Sequence, residues 1–131
     1  MQRAAAFRAA LDEHLAAIQA RDAARFAATL GDDVIVVDGA GNVVRGTDAV
    51  LASHAAWFAI PERWSFAYEV RAVRESEGLG LALLDVTYRH TAESAPSRFL
   101  LSLVFERDRN GRYRFVYDQN TPLPDAEPTG G

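Results

Sequence analysis

Asp32-Asp33-Val34-Ile35-Val36-Val37-Asp38-Gly39-Ala40-Gly41-Asn42-Val43-Val44-Arg45-Gly46-Thr47-Asp48 holds a strand, a turn and the start of a helix in one short stretch. Side chains alternate along a strand, so the apolar run Val34 to Asp38 puts Val34, Val36 and Asp38 on one face. Gly39 and Gly41 mark the turn. Thr47 is placed to cap a third helix, with Asp48 in its first turn. An aspartate at the end of an apolar strand can face a cavity instead of water, the setting a general base at an acidic C–H requires. The other reading of Asp38 is a solvated strand end that hydrogen-bonds its own turn.

Upstream, Phe7, Leu11, Leu15 and Ile18 recur at helical spacing, which predicts an amphipathic helix over 2–20 with His14 on the same stripe. Asp22 is placed to cap a second helix carrying Phe26 and Leu30, stopped by Gly31. Downstream, the third helix turns Val50, Leu51, His54, Trp57 and Phe58 inward and ends at Pro61. Trp64, Phe66, Tyr68 and Val70 then alternate as a strand. Leu79–Arg89 and Phe99–Arg107 read as strands apolar on both faces, and Tyr113–Gln119 returns as a hairpin across Asn110-Gly111. Regular pairing there puts Arg114, Val116 and Asp118 on the face of Phe99, Leu101, Leu103 and Phe105. Tyr113, Phe115 and Tyr117 fall on the other face with Leu100 and Val104.

Helices before strands predict a single α+β domain over 1–122, with three N-terminal helices packed on one face of a strongly curved antiparallel sheet. Residues 123–131, with Pro124, Pro128 and two terminal glycines, read as a flexible tail. The second apolar, tyrosine-rich sheet face is left for another copy of the chain, most simply in a two-fold homodimer.

Absences narrow the chemistry. At 131 residues the chain is one domain with room for a core. Its net charge is −4 and its 14 basic residues, all arginine, are scattered, so no nucleic-acid footprint is expected. No apolar run of about 18 residues exists to span a membrane. Lack of cysteine removes disulfides and thiolate chemistry, and lack of lysine removes Schiff bases and the phosphate-loop lysine. No signal core follows the N-terminus, so the expected location is cytoplasmic. Carboxylates, three histidines, tyrosines and hydroxyls remain, with no cofactor expected.

His14 and His54 lie on the inward stripes of two helices, as satisfied core residues or as imidazoles that exchange a proton near neutral pH. With Asp38 they also form the residue set of a two-histidine, one-carboxylate metal site, a spacing too unspecific to assign a metal. Asp118, on an apolar face, must be paired, protonated or facing a wet cavity, and Arg114 is the expected partner. Asp85 interrupts its strand without an assignable side. Trp57, Phe58, Trp64 and Tyr88 are packing residues that a pocket can borrow as walls. His90, beside Arg89, is expected to be exposed.

The order of elements, with Leu30-Gly31-Asp32-Asp33-Val34 and Val44-Arg45-Gly46-Thr47-Asp48-Ala49-Val50, resembles the nuclear transport factor 2-like superfamily. The ending Gly111-Arg112-Tyr113-Arg114-Phe115-Val116-Tyr117-Asp118-Gln119-Asn120-Thr121-Pro122 is similar to its bacterial SnoaL-like members. The resemblance implies the cystatin-like, cone-shaped α+β barrel of that superfamily. Carried over from ketosteroid isomerase members, it implies Asp38 as the base, His14 in place of the tyrosine that binds the developing oxyanion, and His54 in place of the tyrosine behind it. The second oxyanion donor, a protonated aspartic acid in those enzymes, falls near Leu103, which cannot donate. Asp118 falls at a pocket position, and Val116 and Leu103 share its expected face.

Two functional readings follow. One is a cofactor-independent isomerase, cyclase or dehydratase acting on a small hydrophobic or polyketide-like molecule, with Asp38 and His14 catalytic and His54, Trp57, Phe58, Tyr88, Leu103, Val116 and Asp118 binding the ligand. The other is a non-catalytic ligand-binding or dimeric interaction module of the same fold. An open, partly wet pocket separates the first from the second.

Overall fold

The computed structural model describes residues 2–124, with side chains from residue 6 onward; the expected tail lies largely outside the described residues. The elements in order are α1 (Gln2–Gln19), α2 (Ala23–Ala27), β1 (Leu30–Val37), β2 (Val43–Arg45), α3 (Thr47–Phe58), β3 (Ser65–Ser76), β4 (Leu79–Arg89), β5 (Ser97–Arg107) and β6 (Tyr113–Pro122). One six-stranded curled sheet runs in the order β2-β1-β6-β5-β4-β3. The helices do not precede the sheet as a block, because the β1–β2 hairpin comes before α3. Nor is the sheet wholly antiparallel: β1 lies parallel to β6, while the other pairs are antiparallel.

Asp22 caps α2, its Oδ1 accepting the Arg25 amide at 3.0 Å. Thr47 does not cap α3. Gly46 takes that position with φ 97°, and the Thr47 hydroxyl donates instead to the Gly31 carbonyl of β1 at 2.8 Å. Leu30 and Gly31, expected to end α2, open β1. Between Leu30 and Ile35 the pairing with β6 slips, and Asp33 takes a left-handed φ of 55° within the irregularity.

The core lies between α1 and the inner sheet face. Phe7, Leu11 and Leu15 of α1 meet inner residues such as Leu84, Leu103, Phe105 and Phe115, all of them buried. Each such side chain contributes about 1.5–3 kcal/mol of burial energy. Gly80 of β4 sits directly under the Phe7 ring, and a Cβ there would collide with it.

One irregularity decides which residues face the core. Leu103 pairs with Asp118 and Val104 with Tyr117, but Phe105 pairs with Phe115, so Val116 is the extra residue of a β-bulge. Past the bulge the faces exchange. Tyr113 and Phe115 are buried with Phe105, whereas Arg114 and Val116 are not. Regular pairing had put Arg114, Val116 and Asp118 on one face; only Asp118 is inward.

The outer face of β4 leaves Leu79 and Leu81 more than 40% exposed. Asp85 is on this face, held by Arg98 at 2.7 Å and Arg71 at 3.3 Å.

Candidate functional site

A cavity of about 280 Å³ opens among α3, β1 and the inner faces of β3, β5 and β6. Trp57, Phe66, Phe99 and Leu101 supply much of its apolar wall. Its polar residues are Asp38, Ser53, His54, Asp118 and Asn120, and none of the described arginines lines it.

Asp118 is the unusual member. It is 7% exposed, and among the described residues its carboxyl has no hydrogen-bond or ion-pair partner. Arg114, its expected partner, is carried outward by the bulge and bonds Asp108 at 3.1 Å instead. Burial without a compensating donor disfavours the charged form and pushes the Asp118 carboxyl up to about 8. At neutral pH it is therefore mostly the neutral acid, able to donate a hydrogen bond.

His54 lines the same cavity from α3. Its Nδ1 lies 2.9 Å from the Val50 carbonyl oxygen, which can only accept, so Nδ1 carries the proton. Nε2 then keeps its lone pair and has no partner among the described residues. Burial lowers the His54 pKa below the ordinary value, against a smaller opposite effect of the Val50 bond. Neutral imidazole acceptor and neutral acid donor thus share one cavity.

His14 is elsewhere. It is fully buried and does not line the cavity. The Thr29 hydroxyl donates to the Phe26 carbonyl at 2.7 Å, so its oxygen accepts the His14 Nδ1 proton at 2.8 Å. Burial, with the nearby His54, pushes His14 down to about 3. Phe26 separates the two histidines: its ring stacks on His54 at 4.4 Å and lies 5.1 Å from His14, which stacks on Phe115 at 4.2 Å. The expected arrangement, His14 on a ligand oxygen with His54 behind it, is replaced by a packed column of rings.

Asp38 borders the cavity, but its carboxylate stays in water. Oδ1 accepts the amides of Ala40 and Asn42 at 2.9 Å each, and Oδ2 accepts from Asn42 Nδ2 at 3.1 Å. These donors hold its pKa below the usual value. A weakly basic carboxylate occupied by its own turn does not have the environment expected of the base.

Of the remaining expected residues, Trp57 lines the cavity. It is backed by Trp64, stacked 4.4 Å away, on which the Arg21 guanidinium lies at 4.2 Å. Phe58 and Leu103 are core residues behind the wall. Tyr88 packs on Trp57 and Trp64 without lining the cavity, and Val116 lies outside the lining. His90 is exposed, as expected. Among the described residues no three acidic, histidine or cysteine side chains converge as metal ligands, and the Asp38, His14 and His54 set is not brought together. No described helix is long and apolar enough to cross a membrane. Asn120 and Ser53 were missed. Asn120 had a usable signal, since it follows Asp118 by two on the same strand and so shares its face.

The fold and cavity define an α+β pocket protein of the cystatin-like, NTF2-like kind. A family model, the SnoaL-like domain, matches residues 7–121, and the chain belongs to that family. A protein with a cystatin-like fold from Caulobacter vibrioides is similar in structure at 22% identity and TM-score 0.79, covering 95% of this chain and 92% of that one. A proposed NTF2-like dehydratase from Streptomyces avermitilis is similar at 16% identity and TM-score 0.78, covering 93% and 97%. A ketosteroid isomerase-like protein from Erwinia carotovora atroseptica is similar at 17% identity and TM-score 0.74, covering 92% and 95%. At these identities the likeness is one of fold. No curated protein matches the chain.

Proposed function

We propose that this chain is a cofactor-independent small-molecule enzyme of the SnoaL-like kind, acting in the cytoplasm by proton transfer of the isomerase or dehydratase type. The supporting observation is Asp118, a buried carboxyl without a partner among the described residues on the wall of an open cavity. Asp118 takes the role of general acid, donating to the ligand oxygen that gains charge, and His54 Nε2 that of the base. Environments that push two neighbouring groups apart in pKa are a common way to set such a pair. Both roles move from the residues expected on the resemblance, Asp38 and His14, because those two are engaged with turn and core. Trp57 and Asn120 orient the ligand.

The test is a ligand and turnover screen on the full chain, followed by Asp118→Asn on any substrate found. A positioned general acid contributes roughly 10²–10⁴ in rate, so turnover should drop by at least about 100-fold while the fold is kept. Unchanged turnover in that variant removes Asp118 from the chemistry, and a screen that finds binding without turnover leaves the ligand-binding module of the same fold as the reading.

The homodimer belongs to the same proposal. The exposed outer residues Leu79 and Leu81, on the same β4 face as the Asp85–Arg98 pair, mark the face a second copy would cover. Sedimentation of the wild-type chain against a Leu81→Glu variant measures it.

A further inference from the structure

At the end of α1 an arginine stands where helices favour glycine. The Arg21 N–H donates to the Ile18 carbonyl at 3.0 Å, and the Asp22 N–H reaches the Ala17 carbonyl at 3.0 Å. These are the two bonds of a Schellman stop, whose pivot residue is left-handed and usually glycine. Arg21 is that pivot, with φ 55°. A bulky side chain held at a strained backbone position points to a task outside the helix.

Its guanidinium shows the task. Nη1 donates to the Glu62 carbonyl at 2.9 Å, and Nη2 donates to the Trp64 carbonyl. Two residues earlier, Gln19 Nε2 donates to the Phe66 carbonyl at 2.9 Å. β3 is the last strand of the sheet, beside β4 alone, so these donors from the end of α1 stand in for a further strand along its opening residues. Arg21 has no carboxylate partner among the described residues. Its remaining contact is the Trp64 ring, whose centre lies 4.2 Å from the guanidinium carbon.

That ring carries the contact to the cavity. Trp57 stacks on Trp64 with centroids 4.4 Å apart and planes 17° from parallel. Two groups so close to one ring centre occupy opposite faces, so Trp64 is clamped between Arg21 and Trp57. Trp64 Nε1 also donates to the Trp57 carbonyl at 3.3 Å. Trp57 lines the cavity and Arg21 does not. We infer that Arg21 is a positioning residue for the cavity: it fixes residues 62–64 and the Trp64 ring, and through that ring the Trp57 wall that a ligand meets. The inference rests on the reading of the cavity as a ligand site. Without the guanidinium, residues 62–64 lose two backbone donors and the Trp64 ring loses its cation, so both indoles gain freedom.

Trp57 and Trp64 are the two tryptophans of the chain, so fluorotryptophan labelling of the full chain gives one fluorine NMR resonance for each, assigned with Trp57→Phe. Arg21→Gly keeps the left-handed pivot without strain. Asp22→Ala is its control, since it removes the α2 cap from the same joint and leaves the guanidinium contacts in place. Arg21→Gly should shift or broaden the Trp57 resonance. It should also weaken binding of N-phenyl-naphthylamine, an uncharged probe followed on that resonance, by at least about threefold, the scale of coupling carried through packed side chains. Asp22→Ala should lower thermal stability and change neither readout. An unmoved Trp57 resonance or unchanged probe binding in Arg21→Gly overturns the inference and leaves the ligand site standing. So does an equal response in Asp22→Ala, which would make the Arg21 contacts part of general stability alone. If the probe leaves the wild-type Trp57 resonance unmoved, the ligand-site reading falls and the inference with it.

Discussion

Asp38 and Asp108 close two hairpins with the same hydrogen bonds. Asp38 Oδ1 accepts the amides of Ala40 and Asn42 at 2.9 Å each, and Asp108 Oδ1 accepts those of Asn110 at 2.8 Å and Arg112 at 3.0 Å. In each loop the aspartate N–H bonds the carbonyl four residues on, and a glycine with positive φ, Gly41 or Gly111, donates back to the aspartate carbonyl. Asp108 does not line the Asp118 cavity, so the motif needs no ligand to account for it.

Asp38→Ala and Asp108→Ala should therefore behave alike. Both should lower the melting temperature by a similar small amount and leave turnover of any identified substrate within about twofold. Paired thermal melts and rate measurements check this. A large rate loss confined to Asp38→Ala would return that residue to the chemistry.

Asp118 carries an energetic cost that can be measured without a substrate. Its folded pKa is raised to about 8 from 3.8, so between those values the native state holds a proton the unfolded chain has released. Stability then falls as pH rises through that window, by up to about 1.4 kcal/mol per pH unit, and levels off above about pH 8. Asp118→Asn removes the titration. The variant should be more stable than wild type at pH 7.5, with a flatter melting profile between pH 4.5 and 8. A variant no more stable, with the wild-type slope, would mean the carboxyl is solvated or paired in solution.

In the proposed reaction the same pair of groups would set the pH profile. His54 titrates below the ordinary histidine value and must be neutral to accept a proton; Asp118 must keep its own. Accordingly kcat/KM should form a plateau that falls on the acid side below the usual histidine range and on the alkaline side near pH 8. His54→Gln should lower the plateau and abolish the acid limb, and Asp118→Asn the alkaline limb. Loss of both limbs in a single variant would show one coupled group instead of two roles.

Much of the fold was legible because periodicity survives tertiary context. Phe7, Leu11, Leu15 and Ile18 marked α1, alternation marked β3, and apolar runs with the Asn110-Gly111 turn marked β4 to β6. What escaped was set by backbone irregularities that composition does not announce. Val116 is an ordinary strand residue, yet as the bulge it turns Arg114 outward and away from Asp118. His14 and His54 were correctly placed on inward stripes, but side-chain periodicity along two helices says nothing of the Phe26 ring that α2 inserts between them. For Asp38 the turn reading was present in the sequence itself, since Asp38-Gly39-Ala40-Gly41-Asn42 and Asp108-Arg109-Asn110-Gly111-Arg112 share aspartate and glycine at the same offsets.

Gly80 offers a test of the packing of α1 on the sheet. It sits on the inner face of β4 beneath Phe7 of α1, where an added methyl group would overlap the ring. Its backbone φ is not in the left-handed region, so any cost of Gly80→Ala comes from displaced packing and not from a strained turn. Phe7 cannot simply rotate away, because it is edge-on to Phe105 at 5.6 Å and packed against Tyr113 at the same distance. Overpacking of this kind costs about 1–3 kcal/mol, which denaturant unfolding resolves. Phe7→Leu in the Gly80→Ala background should recover part of that loss, since the smaller side chain vacates the ring edge. Independent, additive losses in the double variant would show that the two residues do not compete for the same space.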